Sequence, residues 1–371
     1  MTLAFDASRC RSGGAYAHIN GILTNFDPIK FGISEIHLWS HKELLNYIPN
    51  YPWLIKHNPK YLNKNIFFQI FWQAYVLNKE IKKFKCSILF TLDASTFCRF
   101  KNQIVLSQDM LSYEPGVMKL FGFSKERFRL LLILWLQNAA FKRAKGVIFL
   151  TNYASNVIQG YCGPLSNIAV IPHGVGPVFK KIDKHFTIIP NKPIRCLYIS
   201  NTALYKYQWH VVKAIQLLRE IGLNIELELV GGGSGAAQIL LEKQIKLSDP
   251  LNKYIKQFKF ISNDDLPQFI YNSDIFVFAS GCENMPVTLL EGMAAGMPIA
   301  CSNLGPMPEV LEDCGIYFNP VDPNEIALAI KKLALSLELR LKFSNKAKSL
   351  AEKYSWERCS NETFSFIIKN L

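Results

Sequence analysis

The sequence has no long apolar run and no leader-like beginning. Its longest purely apolar stretch is residues 130–136, within a chain of 371 residues. That is far short of the roughly 20 residues that a membrane-spanning helix needs. The opening residues, MTLAFDASRCRSGG, lack the layout of a signal peptide. We therefore expect a cytoplasmic protein that does not cross a membrane.

Paired cysteines and acidic metal-binding motifs are also missing. The nine cysteines are scattered, odd in number and never spaced as C-x2-C, which fits neither a disulfide framework nor a zinc site. We expect most of them to be small buried hydrophobic residues in a reducing compartment. The sequence has no D-x-D motif and no cluster with metal-ligand spacing, so it predicts no metal site.

Negative charge is scarce in the first half of the chain. Residues 1–185 contain 23 Lys and Arg against 10 Asp and Glu, whereas the remainder contains 19 of each. The net charge of +13 therefore belongs to the first half. A one-sided basic domain suggests an anionic partner: a phospholipid surface, a nucleic acid or a phosphorylated substrate. Solubility alone is the simpler alternative.

Short apolar runs alternate with helical patterns in both halves. The predicted strands are residues 2–6, 87–93, 103–108, 146–151 and 168–171, then 194–199, 225–230, 258–261, 275–278, 298–301 and 315–318. Helical spacing of apolar residues lies between them, as in 127–142, 209–221 and 289–295. This alternation predicts an α/β fold with two doubly wound parallel sheets, which bind ligands at the carboxyl ends of their strands.

Glycine and proline mark the boundary between the halves. We predict domains at residues 1–175 and 194–353, joined by a linker at 176–193 that Gly and Pro keep irregular. Residues 354–371 are expected to form a terminal helix, with Ser355 as its N-cap, that packs back on the first domain.

The segment 279–298, ASGCENMPVTLLEGMAAGMP, carries the most chemical information. A strand, a short loop and a helix start follow one another, with Pro286 well placed for the first helical turn. Backbone N–H groups around Met285, Val287 and Thr288 would point at one spot and suit a diphosphate.

Two glutamates eight residues apart frame this helix start. Glu283 lies in the loop, where its carboxylate can reach sugar hydroxyls, and Glu291 lies a turn into the helix, where it can accept both hydroxyls of a ribose. The alternative is a surface glutamate and a helix-start glutamate that merely favours the dipole.

The segment CENMPVTLLEGMAAGMPIACSNLGPMPEV, residues 282–310, resembles the E-x7-E region of retaining GT-B glycosyltransferases of family 4. VIPHGV at 170–175 resembles the segment that ends the first domain of that family. The resemblance implies two Rossmann-like domains facing each other across a cleft. It also implies that Glu283 contacts the donor sugar, that Glu291 contacts the donor ribose and that the first domain binds the acceptor.

The segment 197–215 resembles bacterial enzymes that build cell-surface polysaccharide, O-antigen included. The resemblance implies that Lys206 neutralises donor phosphate, whereas Asn201 stands where the family has arginine. Gly232 belongs to a glycine-rich turn, GGGSG at 231–235, that passes near phosphate or base, or is a plain tight turn.

The first domain offers fewer candidate residues. Ser12, Gly13 and Gly14 resemble the family's glycine-rich loop over the reaction centre, whose amides stabilise a leaving phosphate. Arg11 faces acceptor phosphate or solvent. Asp109 is the candidate for orienting the acceptor, with a turn cap as its competing role. His173 is expected to be structural.

Two segments combine aromatic and basic residues, at 64–85 and 118–129. Such segments suit peripheral contact with an anionic membrane, although an aromatic stripe at helical spacing is as often core. For the first segment we expect both roles, with the apolar face inward and the lysines toward headgroups.

Together these features predict a retaining glycosyltransferase without metal or other cofactor. It would move a hexose from GDP-mannose or a UDP-sugar to a lipid-linked saccharide, at the inner face of the cytoplasmic membrane, with no nucleic acid partner. The alternatives are a non-catalytic basic module that binds membrane or nucleic acid, and a GT-B epimerase or phosphorylase. A nicotinamide-dependent oxidoreductase would need a G-x-G-x-x-G turn, which is absent.

Overall fold

The structure is a computed structural model that describes residues 1–11, 13–182, 186, 192–259, 261–262 and 264–371. The chain divides into two compact units. Unit 1 is Met1–Gly174 together with Ser355–Leu371, and unit 2 is Val175–Tyr354. Within the described part of the chain, no helix is both long enough and apolar enough to span a membrane. Each of the nine cysteines is a buried free thiol, as expected.

Unit 1 contains a parallel sheet. Its strands are β1 (Thr2–Asp6), β2 (Glu35–Trp39), β3 (Leu54–His57), β4 (Ile88–Thr91), β5 (Gln103–Leu106), β6 (Gly146–Phe149) and β7 (Ile168–Val170). They are arranged in the order β3-β2-β1-β4-β5-β6-β7. The sequence missed β2 and β3, and it placed the ends of β4 to β7 one or two residues too far along the chain.

Right-handed crossovers place the helices of unit 1 on both faces of its sheet, because the strand order reverses between β1 and β4. These helices are α1 (Gly13–Thr24), α2 (Pro28–Phe31), α3 (Lys42–Tyr47), α4 (Ile66–Phe71), α5 (Leu77–Lys83), α6 (Lys125–Arg143), α7 (Asn152–Cys162) and the terminal α16 (Trp356–Lys369). A π-helical turn at Trp72–Val76 joins α4 to α5, and single 3₁₀ turns form at Lys60–Asn63 and Val117–Phe121.

Unit 2 contains a second parallel sheet. Its strands are β8 (Ile194–Ile199), β9 (Ile225–Val230), β10 (Ile255–Phe258), β11 (Ile275–Phe278), β12 (Ile299–Ser302) and β13 (Gly315–Phe318), in the order β10-β9-β8-β11-β12-β13. The predicted strand at 258–261 was placed three residues too far along the chain, since β10 is Ile255–Phe258. Phe260 lies outside the described residues. The two Rossmann-like sheets confirm the predicted α/β class.

The helices of unit 2 include one within the predicted linker. They are α8 (Pro177–Lys180), α9 (Gln208–Glu220), α10 (Ala236–Ser248), α11 (Leu266–Asn272), α12 (Val287–Ala294), α13 (Met307–Leu311), α14 (Pro323–Leu335) and α15 (Leu337–Ala351), with a 3₁₀ turn at Leu204–Lys206. The prediction of an irregular linker was therefore wrong at α8, where Pro177 occupies the first turn and Phe179 is buried. Linker residues 183–185 and 187–191 lie outside the described residues.

The predicted aromatic segment at 64–85 is divided between core and surface. Trp72, Leu77 and Ile81 pack in a buried cluster against Ala4 of β1, whereas Phe67 is 77% exposed. The expectation that its apolar face points inward therefore holds for Trp72, Leu77 and Ile81 and was wrong for Phe67 and Tyr75.

The terminal helix α16 belongs to unit 1. The side chain of Ser355 caps it by accepting from the Arg358 N–H at 3.1 Å. Ser360 Oγ donates to the carbonyl of Ile22 in α1 at 2.8 Å, and the Phe364 ring stacks on Phe26 with 4.0 Å between centroids.

Gly174 packs directly against the start of α16. A Cβ at this position would lie 2.2 Å from the Trp356 backbone nitrogen and 2.5 Å from the Ser355 carbonyl carbon. Since both neighbours are backbone atoms, no side-chain rotation can relieve the overlap. A side chain at 174 would therefore push the terminal helix away from the rest of unit 1.

Substitution of Gly174 by alanine should destabilise the fold by about 2–4 kcal/mol because of this overlap. Urea unfolding followed by circular dichroism measures the change. Gly160→Ala in α7 is the matched control, since a Cβ there meets no atom within 4 Å and alanine favours a helix. Equal stability of Gly174→Ala and wild type would contradict the packing argument.

Candidate functional site

The order of strands in unit 2 reverses between β8 and β11, and parallel sheets bind ligands outside the carboxyl ends of strands at such a point. The loop after β8 carries Asn201 and Lys206, and the loop after β11 carries Glu283. The topology therefore brings three predicted residues to one edge of the sheet.

An ion pair joins these two loops. The ammonium of Lys206 donates to Oε1 of Glu283, with 10% and 16% of the two side chains exposed. The same ammonium lies 5.4 Å from the ring centroid of Tyr205 and 5.9 Å from that of Phe278, where aromatic faces attract a cation. Lys206 is thus a largely buried cation in a fixed position.

Helix α12 begins beside this pair. Pro286 occupies the N-cap, where it provides no side-chain hydrogen bond, so the prediction that it lies in the first helical turn was wrong by one position. Met285 is buried. Val287 and Thr288 are the first two helical residues, whose N–H groups have no acceptor within the helix. The positive end of the helix dipole lies at the same place.

Glu291 lies one turn into α12 and is short of hydrogen-bond partners. Its Oε2 atom is buried and accepts no hydrogen bond from the described residues. Burial raises the pKa of this carboxyl to about 8. A buried oxygen without a donor is unfavourable, so a ligand that brings hydroxyl donors would be stabilised here.

The glycine-rich turn after β9 packs tightly against the loop after β8. Gly231 has φ of +117°, and a Cβ there would lie 2.2 Å from the carbonyl oxygen of Ser200. Gly232 accepts a hydrogen bond from the Thr202 N–H at 3.1 Å. Asn201 is exposed, and its carbonyl accepts from Ser200 Oγ at 2.7 Å. Close packing therefore explains why glycine occupies positions 231 and 232, as expected for a plain tight turn.

Two buried residues of this edge were not predicted from the sequence. Thr202 Oγ1 and Gln208 Oε1 are buried and without a hydrogen-bond partner in the described part of the chain. Gln208 donates from its amide nitrogen to the Ser200 carbonyl at 3.1 Å. Neither residue belongs to a motif with recognisable spacing, so the sequence offers no signal that would identify them.

In unit 1 the strand order reverses between β1 and β4. Gly13 and Gly14 are exposed and form the first turn of α1, so the prediction that they belong to a loop was wrong; Ser12 lies outside the described residues. Arg11 donates to the Leu62 carbonyl at 3.0 Å.

Asp109 follows β5 and caps a turn. Its Oδ1 accepts from the Leu111 N–H at 2.8 Å, and burial raises the pKa of its carboxyl. This is the competing role that the sequence suggested, while a role in orienting an acceptor stays a prediction.

A buried cluster in unit 1 joins residues that are distant in the sequence. His18 Nδ1 and His173 Nδ1 share a hydrogen bond at 2.9 Å, and Cys359 lies close to both. Burial lowers the pKa of both imidazoles, that of His173 to about 3. This is the group among the described residues that could hold a metal ion, and sequence spacing did not reveal it. The absence of a metal requirement stays a prediction.

The fold and the site define the class of unit 2. It is a Rossmann-like domain with a helix start, a fixed cation and an unpaired carboxyl near its switch point. Residues 179–350 match the family described as Glycosyl transferases group 1. The match covers most of unit 2 and less than half of the chain.

Curated relatives resemble parts of the chain. The O-antigen chain mannosyltransferase B of Escherichia coli is 29% identical over 112 residues, 30% of this chain and 29% of its own length. The amylovoran biosynthesis glycosyltransferase AmsK of Erwinia amylovora is 25% identical over 155 residues, 40% of this chain and 37% of its own. The chain thus spans less than half of the length of these relatives.

Solved structures resemble the whole chain. Sucrose-phosphate synthase from Thermosynechococcus elongatus has a TM-score of 0.76 at 15% identity, covering 98% of this chain and 97% of its own. Anabaena HepE, solved in complex with UDP-glucose, has a TM-score of 0.74 at 16% identity and full coverage of both chains. These matches confirm the GT-B fold class.

The Lys206–Glu283 pair should be coupled by about 1–3 kcal/mol, because each single substitution leaves a mostly buried charge alone. Lys206→Met and Glu283→Gln should each destabilise unit 2 more than the double variant does. Chemical denaturation of the four proteins measures the coupling.

The exposed pair Lys346–Asp313 is the control for this cycle, and its coupling should be close to zero. Additive effects of Lys206→Met and Glu283→Gln would show that the site does not depend on the pair.

Proposed function

We propose that the protein is a retaining glycosyltransferase that transfers a hexose from a nucleotide diphosphate sugar to a lipid-linked saccharide. The observation that carries this proposal is the convergence, at the switch point of unit 2, of the α12 start, the Lys206 cation and the unpaired carboxyl of Glu291. Each group matches a different part of such a donor.

The donor would bind along this edge. The N–H groups of Val287 and Thr288 would donate hydrogen bonds to the diphosphate, whose charge Lys206 would balance. Glu291 would accept hydrogen bonds from the ribose hydroxyls, and Glu283, while it holds Lys206, would present its second oxygen to a sugar hydroxyl. Charge neutralisation by Lys206 and the helix start makes a metal unnecessary.

The reaction would proceed on one face of the sugar. No carboxylate of unit 2 is assigned as a nucleophile, so the acceptor oxygen would attack the anomeric carbon as its bond to the diphosphate breaks. The acceptor proton would pass to the departing phosphate oxygen. Asp109 of unit 1 would orient the acceptor hydroxyl, while amides at Gly13 and Gly14, with Arg11, would stabilise phosphate.

Several observations favour a lipid-linked acceptor in cell-surface polysaccharide synthesis. Relatives that resemble the chain are named for O-antigen and amylovoran synthesis, and a structural neighbour was solved with UDP-glucose. The excess of positive charge in residues 1–185 suits an anionic surface. We therefore propose GDP-mannose or a UDP-sugar as donor and a peripheral position at the inner face of the cytoplasmic membrane.

Glu291→Ala should weaken nucleoside diphosphate binding by about 1.5–3 kcal/mol, roughly tenfold to a hundredfold, if its bonds to ribose are charge-assisted. The measurement is calorimetry with GDP, UDP and dTDP, together with nucleotide release from the corresponding sugars. Wild type should release nucleotide from one of these donors, and Glu291→Ala should release less of it.

The exposed Glu338, at the start of α15, provides the control Glu338→Ala, which should leave binding unchanged. Proton NMR of the transferred sugar tests retention of configuration. Absence of nucleotide binding and release with every donor, with membrane extract added as acceptor, would favour a non-catalytic basic module instead.

The affinity for the preferred nucleotide should rise with pH. The pKa of Glu291 is about 8 in the free protein, so at pH 7 most molecules carry the protonated acid and must lose the proton to accept both ribose hydroxyls. Binding should strengthen by about tenfold from pH 7 to pH 9 and level off above the pKa. Glu291→Gln should abolish this slope, and a slope retained in that variant would assign it to another group.

A further inference from the structure

Helix α6 is apolar on two opposite faces. Leu130, Gln137 and Phe141 are buried and form the face of α6 that packs within unit 1. Phe128, Leu131, Leu132 and Trp135 have spacings of i, i+3, i+4 and i+7, which place them together on one face. A helix turns about 100° per residue, so this face lies opposite the buried residues.

The second face is open to solvent. Trp135 is 68% exposed, Phe128 64%, Leu132 53% and Leu131 48%. Scattered apolar residues on a surface are ordinary, but four on one helical face form a contiguous patch, which typically marks an interaction site. We call these four residues the α6 stripe.

Cations lie at both ends of the α6 stripe. Lys125, in the first turn of α6, and Lys142, in the last, are exposed. Phe123, just before the helix, is fully exposed, and the Arg127 guanidinium lies 5.5 Å from its ring centroid. An apolar stripe bordered by cations is typical of helices that lie in the headgroup region of a membrane.

A second exposed aromatic group lies on the same face of the sheet. Right-handed crossovers place α4 and α6 on one side of the unit 1 sheet, with both helices starting at the carboxyl edge. Phe67, Phe71 and Tyr75 are exposed on α4 and the following turn, and the Lys64 ammonium lies 4.6 Å from the ring centroid of Phe68.

We infer that the α6 stripe inserts into an anionic lipid surface, with the α4 aromatics as a second contact. Charge complementarity decides for lipid over a protein partner, because residues 1–185 contain 23 Lys and Arg against 10 Asp and Glu. Insertion covers the stripe, while Lys125 and Lys142 remain among the headgroups.

This inference deepens the proposed function, since it names the surface that would bring the enzyme to a lipid-linked acceptor. It places the main contact on the α6 stripe, which extends beyond the two segments, 64–85 and 118–129, to which the sequence pointed. Membrane binding does not require catalysis, so the two proposals fail separately.

The test is flotation with vesicles of phosphatidylglycerol mixed with phosphatidylethanolamine, compared with vesicles of phosphatidylcholine alone. Wild type should float with the anionic vesicles. The variant Phe128→Ser/Trp135→Ser should lose about tenfold or more in apparent affinity, because two large side chains no longer insert. Its fold is checked by circular dichroism, since both side chains face solvent.

The matched control is Ile239→Ser/Leu247→Ser on α10 of unit 2, whose side chains are as exposed, at 66% and 64%. It should float like wild type, as should Glu291→Ala. Nucleotide release from the donor, measured without vesicles, should be unchanged in Phe128→Ser/Trp135→Ser. If wild type floats with anionic vesicles but releases no nucleotide from any donor, only the proposed function is overturned.

Three outcomes would overturn the inference. One is wild type that does not float with anionic vesicles. Another is equal flotation of wild type and Phe128→Ser/Trp135→Ser, which would mean that headgroup charge alone holds the protein. The third is a concentration-dependent dimer of wild type that this variant dissociates, since the stripe would then be an interface between copies of the chain.

Discussion

The ion pair between Lys206 and Glu283 is the interaction on which the candidate donor site depends. It joins the loops that follow β8 and β11, at the place where the strand order of unit 2 reverses. Both side chains are mostly buried, so neither charge is stable there without the other or a charged ligand. The pair holds a cation in a position that a flexible lysine would not keep by itself.

Buried polar atoms without partners occur on the same segments of unit 2, which follow β8 and β11. Glu291 Oε2, Thr202 Oγ1 and Gln208 Oε1 are all buried without partners among the described residues, and the α12 start adds its own N–H groups. Such groups cost stability in a free protein. A ligand with several hydroxyls and a diphosphate would offer partners to Glu291, Thr202 and Gln208.

Unit 1 has a different surface chemistry. It is basic, and its α6 helix exposes an apolar stripe, whereas the candidate donor-binding residues of unit 2 lie at one edge of its sheet. These surfaces suit the proposed substrates, a water-soluble donor and an acceptor anchored in lipid. The same helix buries its other face, so one element both completes the core and forms the proposed membrane contact.

The sequence by itself determined the fold class and most strands, because buried parallel strands are continuous apolar runs. It placed Pro286 in the first turn of α12, one position from the N-cap that this residue occupies. It missed β2 and β3, since EIHLW and LIKH contain charged and polar residues. Only the tertiary structure decided the rest. Lys206 and Glu283 are 77 residues apart and His18 and His173 are 155 apart, and the pKa of Glu291 depends on burial. The spacing of residues along the chain does not show which distant residues touch or which carboxyl is removed from water. Nor does the sequence of a helix that is apolar on two faces show which face meets solvent.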